Sequence, residues 1–431
     1  MKPAEKFTAK EWNASGAFHF YGSEKPRSYI VEVDTTKPID GAVLQKAADK
    51  ALERLPYYLQ TFVRKKGLYY YADDTLPFVV AESEKPRVIG DETTNFHMID
   101  VTYYGTCIRF AMFHGLCDGL GLNRFIEAVL YHYFCLKDGK TYSDEGIYTS
   151  RIPYDPAEEF DAFAEKSNVD PKELKALTGD EVRFRIPEVV ANKGPLIYRY
   201  PLRIKTQDLL AWTKRASASP AVALSVFAGL AVNRLNEVKE GVIMSTVPIS
   251  LRKFLHADVT FKNCAAAVFL AMKPADLETR SAEEIAADLR AQMKENMREE
   301  KGLLLSSSIN FITHLGRRLP THFLKNKVMA MKENRPQHAF TLDYVGSLKT
   351  NDYSDQITDV RYLNPDPQKG SLSILLSETA GFFHINFNQT FETKQYFDAF
   401  LKVLDEQKIP YESLPGDTYL NPEVELPKEQ R

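Results

Sequence analysis

The stretch FAMFHGLCDGLG, residues 110–121, decides how the chain is read, because an apolar strand-like run stops at a histidine and restarts as a glycine-punctuated helix. Upstream, HMIDVTYYGTCIRFAMFH (97–114) reads as two strands broken at Gly105. Downstream, Leu122, Phe125, Ile126, Val129, Leu130, Tyr133 and Phe134 recur at helical spacing and form one apolar stripe. His114 therefore ends a strand. Asp118 begins a helix and has the short acceptor side chain that caps free N–H groups.

The same alternation extends outward. RSYIVEVD (27–34) is rich in β-branched residues, and IDGAVLQKAADKALERLP (39–56) sets Val43, Ala47, Ala51 and Leu55 four apart between a capping Asp40 and a terminating Pro56. LQTFVRKKGLYYYAD (59–73) predicts a hairpin turning at Lys66 and Gly67, and FVVAES (78–83) a short strand. From about 138 to 195 the chain is polar and proline-punctuated, which suits a crossover between two halves. The second half predicts strands at 196–204, 242–249, 263–272, 340–348, 360–364, 371–379 and 381–389. Helices are predicted at 207–216, 221–235, 281–297 and 393–407, with a mixed stretch to about 335. Both halves are α/β with mixed or antiparallel pairing, and no repeat is visible in the sequence.

A chain of 431 residues with 44% hydrophobic and 12% aromatic content can bury at least one large core. Its 55 basic and 58 acidic residues leave a net charge of -3 without a long single-sign block, so a concentrated phosphate-binding face and nucleic-acid binding are not expected. Cys107, Cys117, Cys135 and Cys264 lack CxxC spacing, which fits reduced thiols in a cytoplasmic protein. The N-terminus is polar and no run approaches the roughly 18 apolar residues of a membrane span, so neither export nor insertion is expected. No metal-ligand spacing appears.

Several roles fit the junction. Asp118–Gly119 can be a plain helix cap, and His114 a hydrogen-bonded core residue. Gly119 and Gly121 imitate a GxGxxG loop, but Arg124 occupies the third glycine position and Asp118 would repel a pyrophosphate. Cys117 as a nucleophile lacks an orienting constellation. The catalytic role is that of a general base. A neutral imidazole, with a reference pKa of about 6.5, takes the proton of a hydroxyl or amine as that atom attacks a carbonyl. In that case Asp118 turns back into the scaffold and positions the histidine.

FHGLCDGLG resembles the HHxxxDG or HxxxD motif of the acyltransferase superfamily that includes chloramphenicol acetyltransferase, plant-type alcohol acyltransferases and the condensation domains of nonribosomal peptide synthetases. The closest flavour is that of the free-standing alcohol acetyltransferases. Other segments follow in the family's order: LQKAADKALERLPYYLQTFVRKKG, then VPISLRKFL and FKNCAAAVFLAM, then LDYVGSL, which is similar to the family's DFGWG or NYLG segment. Phe113 stands where the first motif histidine is found in the peptide-bond-forming branch.

The resemblance implies two chloramphenicol-acetyltransferase-like subdomains with mixed, largely antiparallel sheets, residues 1–175 and 176–431, with a tunnel between them. It implies His114 as the base, Asp118 and Gly119 as the structural end of the motif, and Arg252 as the partner of that aspartate. Asn263, Asp343, Tyr344 and Gly346 become support of the site. It further implies acyl-CoA or an acyl-carrier protein as co-substrate, a small-molecule acceptor and no permanently bound cofactor. A carrier-dependent condensation or a catalytically silent binding module of the same fold are the alternatives. Arg317, Arg318, Lys325, Lys327 and Lys332 are candidates for coenzyme A phosphates or a carrier surface, or simply a solvated helix face.

Overall fold

The computed structural model describes residues 7–21, 26–165, 181–191, 196–333, 339–364, 372–420 and 423–428. The boundary expected at 175/176 falls outside the described residues, as does position 371 of one expected strand. In chain order the strands are β1 Ser28–Thr35, β2 Gln60–Lys65, β3 Leu68–Asp73, β4 Ala81–Glu82, β5 Ile99–Tyr104 and β6 Cys107–Phe113. They continue as β7 Leu196–Lys205, β8 Ile243–Ser250, β9 Ala265–Met272, β10 Phe340–Ser347 and β11 Ile357–Leu363. The last four are β12 Leu372–Thr379, β13 Phe382–Gln389, β14 Glu412–Ser413 and β15 Asp417–Leu420. The helices that matter below are α1 Ala17–Phe20, α2 Gly41–Arg54, α3 Gly119–Asp138, α4 Pro220–Asn236, α5 Ala282–Asn296, α6 Glu299–Arg318, α7 His322–Glu333 and α8 Gln395–Glu406.

The protein is mixed α/β with two sheet-rich halves. One sheet runs β11-β1-β6-β5-β4, antiparallel except where β4 meets β5. The larger runs β14-β7-β13-β12-β10-β8-β9 with β15 also on β7, and β10 is parallel to both β12 and β8. Helices α2 and α3 cover the first sheet, and α4 and α8 cover the second, which gives two large hydrophobic cores beside a small third cluster of Ala14, Phe163, Leu251, Ala257 and Cys264. The open edge of β9 is blunted by Gln292 of α5, whose amide donates to the Ala271 carbonyl at 2.9 Å and accepts from the Ala271 N–H at 2.8 Å.

Local chemistry explains most element ends. Asp40 accepts from Ala42 and Val43 at the start of α2, and the β2–β3 hairpin turns at Lys66 and Gly67, both at positive φ. One expectation needs correction, and two stretches left open by the sequence gain helices. Of 78–83 only Ala81–Glu82 forms a strand, because Pro77 and Pro86 flank it and its sole partner is the end of β5. The mixed stretch before 335 is helical, as α6 and α7. The crossover carries a helix of its own, Pro187–Ala191. The first sheet also takes an edge strand, β11, from far along the chain, and Glu32 and Asp34 of β1 both face Arg361 across that seam. No single helix among the described residues is long and apolar enough to cross a membrane.

Candidate active site

Strand β6 delivers its last buried residue, Phe113, into the first core and leaves His114 half-buried at the mouth of a four-residue turn. Buried tyrosines secure that turn from below: Tyr57 donates its hydroxyl to the Leu116 carbonyl, and Tyr58 donates to the Gly121 carbonyl at 2.5 Å. The thiol of Cys117 is fully buried, and burial raises its pKa well above the usual thiol value, so it supplies no thiolate.

Asp118 is a cap and an ion-pair partner at once. Its Oδ1 accepts the Gly121 N–H at 3.0 Å and Arg252 Nη2 at 2.9 Å, while Oδ2 accepts Arg252 Nη1 at 2.7 Å and the Cys264 N–H at 3.0 Å. Arg252 is equally well occupied, donating also to the carbonyls of Thr260 and Lys262 at 3.0 to 3.1 Å. Both side chains are less than a tenth exposed. Burial opposes the charge on Arg252, but the facing carboxylate outweighs it and raises the guanidinium pKa.

The link to His114 runs through Asn263. Asp118 holds the N–H of Cys264, and the preceding Asn263 grips His114 twice: its Nδ2 donates to the histidine's own carbonyl at 2.9 Å, and its Oδ1 lies 3.1 Å from the ring Nδ1. Because the amide nitrogen is committed to that carbonyl, the amide oxygen faces the ring and Nδ1 carries the hydrogen. Nε2, on the opposite edge, is then the basic nitrogen of the neutral ring.

The LDYVG segment supports the same region from β10. Asn123 of α3 donates to the Val345 carbonyl at 2.9 Å, the register against β12 slips between Tyr344 and Gly346, and Gly346 sits at φ +92. Tyr344 is more than a third exposed and its hydroxyl reaches Glu378 at 3.5 Å, so it stands apart from His114's own contacts. Asp343 keeps some solvent contact while surrounded by protein, and burial together with the Asp118 charge pushes its pKa up to about 7.

Two features near the histidine carry no sequence signal. His19 of α1 stacks on the His114 ring, with centroids 4.2 Å apart and planes 6° from parallel, and Tyr29 of β1 meets the same ring edge-on at 5.9 Å. The candidate basic residues do not form one face. Lys325 is buried and donates to the Leu319 carbonyl, Arg317 lies over the Trp12 ring at 4.6 Å, and Arg318 and Lys327 are exposed. The side chain of Lys332 is outside the described residues. Among the described residues no group of three or more His, Cys, Asp or Glu side chains can hold a metal ion.

The steric demand of the turn falls on a different glycine from the one in the motif. A Cβ on Gly121 would stand 2.3 Å from the Phe261 carbonyl oxygen and 2.8 Å from Cys117 Cβ, whereas one on Gly119 would meet only Val345 at 3.8 Å. Gly121→Ala is therefore expected to cost about 1–3 kcal/mol or more, and Gly119→Ala less than about 1 kcal/mol. Denaturant melts of the two variants check the order.

No protein-family model matches the sequence, and no curated protein matches it either. Solved structures do share its fold. Polyketide synthase associated protein 5 from Mycobacterium tuberculosis superposes with a TM-score of 0.64 at 15% identity, over 92% of this chain and 98% of that one. F. sporotrichioides TRI101, solved with coenzyme A and T-2, gives 0.59 at 10% identity, over 94% and 99%. The first condensation domain of the CDA synthetase gives 0.57 at 14% identity, over 93% and 95%. At these identities the shared property is the fold, and it spans nearly the whole of each chain.

Proposed function

We propose that this chain, with the fold it shares with those structures, is an acyltransferase that moves an acyl group from acyl-CoA to the hydroxyl or amine of a small molecule. The observation that carries the reading is the double grip of Asn263 on His114, which assigns the hydrogen to Nδ1 and the lone pair to Nε2. That one of the similar structures was solved with coenzyme A, and another is a condensation domain, supports a thioester donor. Residues 1–175 and 176–431 form the two subdomains in this proposal, with β11 crossing into the first, and a tunnel between them admits donor and acceptor from opposite ends.

In the proposed reaction His114 Nε2 removes the acceptor's proton as its oxygen or nitrogen attacks the thioester carbonyl. The tetrahedral oxyanion collapses, the C–S bond breaks, and the departing thiolate recovers the proton from Nε2. No acyl-enzyme forms. Asp118, Gly119, Arg252, Asn263, Asp343, Tyr344 and Gly346 act by holding the base and the β10 wall in place. Incubation with mixed acyl-CoAs and a panel of alcohols and amines, read by mass spectrometry, is expected to show acylated acceptor and released coenzyme A. Product only from an acyl-carrier protein would move the donor to a carrier, and no product from either source would remove the transferase reading.

A further inference from the structure

The N-terminal segment is locked onto the catalytic turn by buried polar groups. Asn13 donates to the Gly115 carbonyl at 2.8 Å and accepts the Gly16 N–H at 2.7 Å, and Asp161 accepts the N–H groups of Ala14 and Ser15 at 3.0 Å each. Gly16 approaches so closely that a Cβ there would lie 2.3 Å from the Gly115 oxygen. Phe20 anchors the other side of His19, stacked on Tyr69 at 4.2 Å and packed against Phe113 at 5.1 Å. The His19 imidazole is thus delivered by a fixed backbone, not by a loose tail.

We propose that His19 is a positioning residue for His114: its ring lies flat on the base, and with Asn263 gripping the ring edge it fixes the plane in which Nε2 presents its lone pair. The inference rests on the reading of His114 as the general base. It also gives the stack an electrostatic role. Two imidazolium ions face to face at 4.2 Å repel, so a proton on His19 keeps His114 in the neutral, basic form to lower pH. Among the described residues, the other ionisable groups on the surrounding elements include Tyr21, Tyr29 of β1, Tyr69 of β3, Asp161, Lys262, His322 of α7, Asp343 of β10, and Asp118 with Arg252.

The test is an NMR titration of the imidazole nitrogens in the full chain, with the His114 signals assigned by their loss in His114→Ala, run beside steady-state acyl transfer. In His19→Phe, which keeps an aromatic face but no charge, His114 is expected to gain its second proton at a pH higher by about half a unit, a threefold change in proton affinity. In His19→Ala, which removes the face as well, kcat is expected to fall about tenfold with KM within threefold, and His19→Phe is expected to restore most of it. An unchanged His114 titration and tautomer in both variants, with unchanged kcat, overturns the proposal. If His114→Ala retains full transfer, the base assignment falls instead, while the His114 titration still decides whether His19 governs that ring.

Discussion

Replacing His114 by alanine is expected to lower kcat by about two to four powers of ten, the usual worth of a positioned general base, with the fold intact. The substitution removes a half-buried ring that meets, among the described residues, the Asn263 amide on one edge, His19 on one face and Tyr29 at the side. Of these only Tyr29 belongs to the first apolar core, where its other neighbours hold it, and Asn263 keeps its bond to the backbone carbonyl of residue 114. A variant that melts like the parent and has lost transfer places the loss in chemistry. Undiminished transfer by that folded variant removes His114 from the reaction.

The second large effect is expected at Asp118 and Arg252. Each carboxylate oxygen accepts two donors, one from Arg252 and one from a backbone N–H. Asparagine caps helices about as well as aspartate, so a residue that only caps would tolerate the change. Here Asp118→Asn turns one oxygen into an NH2 group, which in either orientation opposes an arginine N–H and a backbone N–H. That variant and Arg252→Ala should each cost on the order of 3–5 kcal/mol, because a buried charge is left without its partner. The double variant should be non-additive by about 0.5–3 kcal/mol, whereas independent sites add within about 0.5 kcal/mol. Denaturant melts of the singles and the double measure the coupling. Activity should fall in step, since release of the Cys264 N–H lets Asn263 and then His114 shift; additive losses would return Asp118 to the role of a cap alone.

The junction at 110–121 was legible because strand, cap and helix signals are local, and α3 begins where Asp118 predicts. Arg252 and Asn263 became candidates only through family resemblance. Nothing in local spacing tells that a carboxylate binds an arginine 134 residues away, or that one amide spans both the ring and the carbonyl of a histidine. His19 was missed because α1 is four residues long, too short for any periodicity, and stacking leaves no mark on sequence. α6 hid for a different reason: GLLLSSSINFITHLG mixes glycine, serine and β-branched residues, and its helix is settled by tertiary packing such as Asn310 donating to the Phe163 carbonyl.

The placement of β11 has a consequence for the newborn chain. β1 is made early, yet its partner at Ile357–Leu363 leaves the ribosome more than three hundred residues later, an interval of roughly 20 to 60 s at ordinary synthesis rates. Throughout that time one edge of β1 has no native neighbour, which invites pairing with whatever strand is nearby. Glu32 and Asp34 are the two acidic residues of β1; Glu32 meets Arg109 of the early strand β6 at 3.0 Å, whereas Asp34 waits for Arg361 of β11 and its 2.6 Å bond. The charge of Asp34, which pins the finished register, thus also discourages apolar intruders during translation, and a chain cut after its first half would carry that edge permanently.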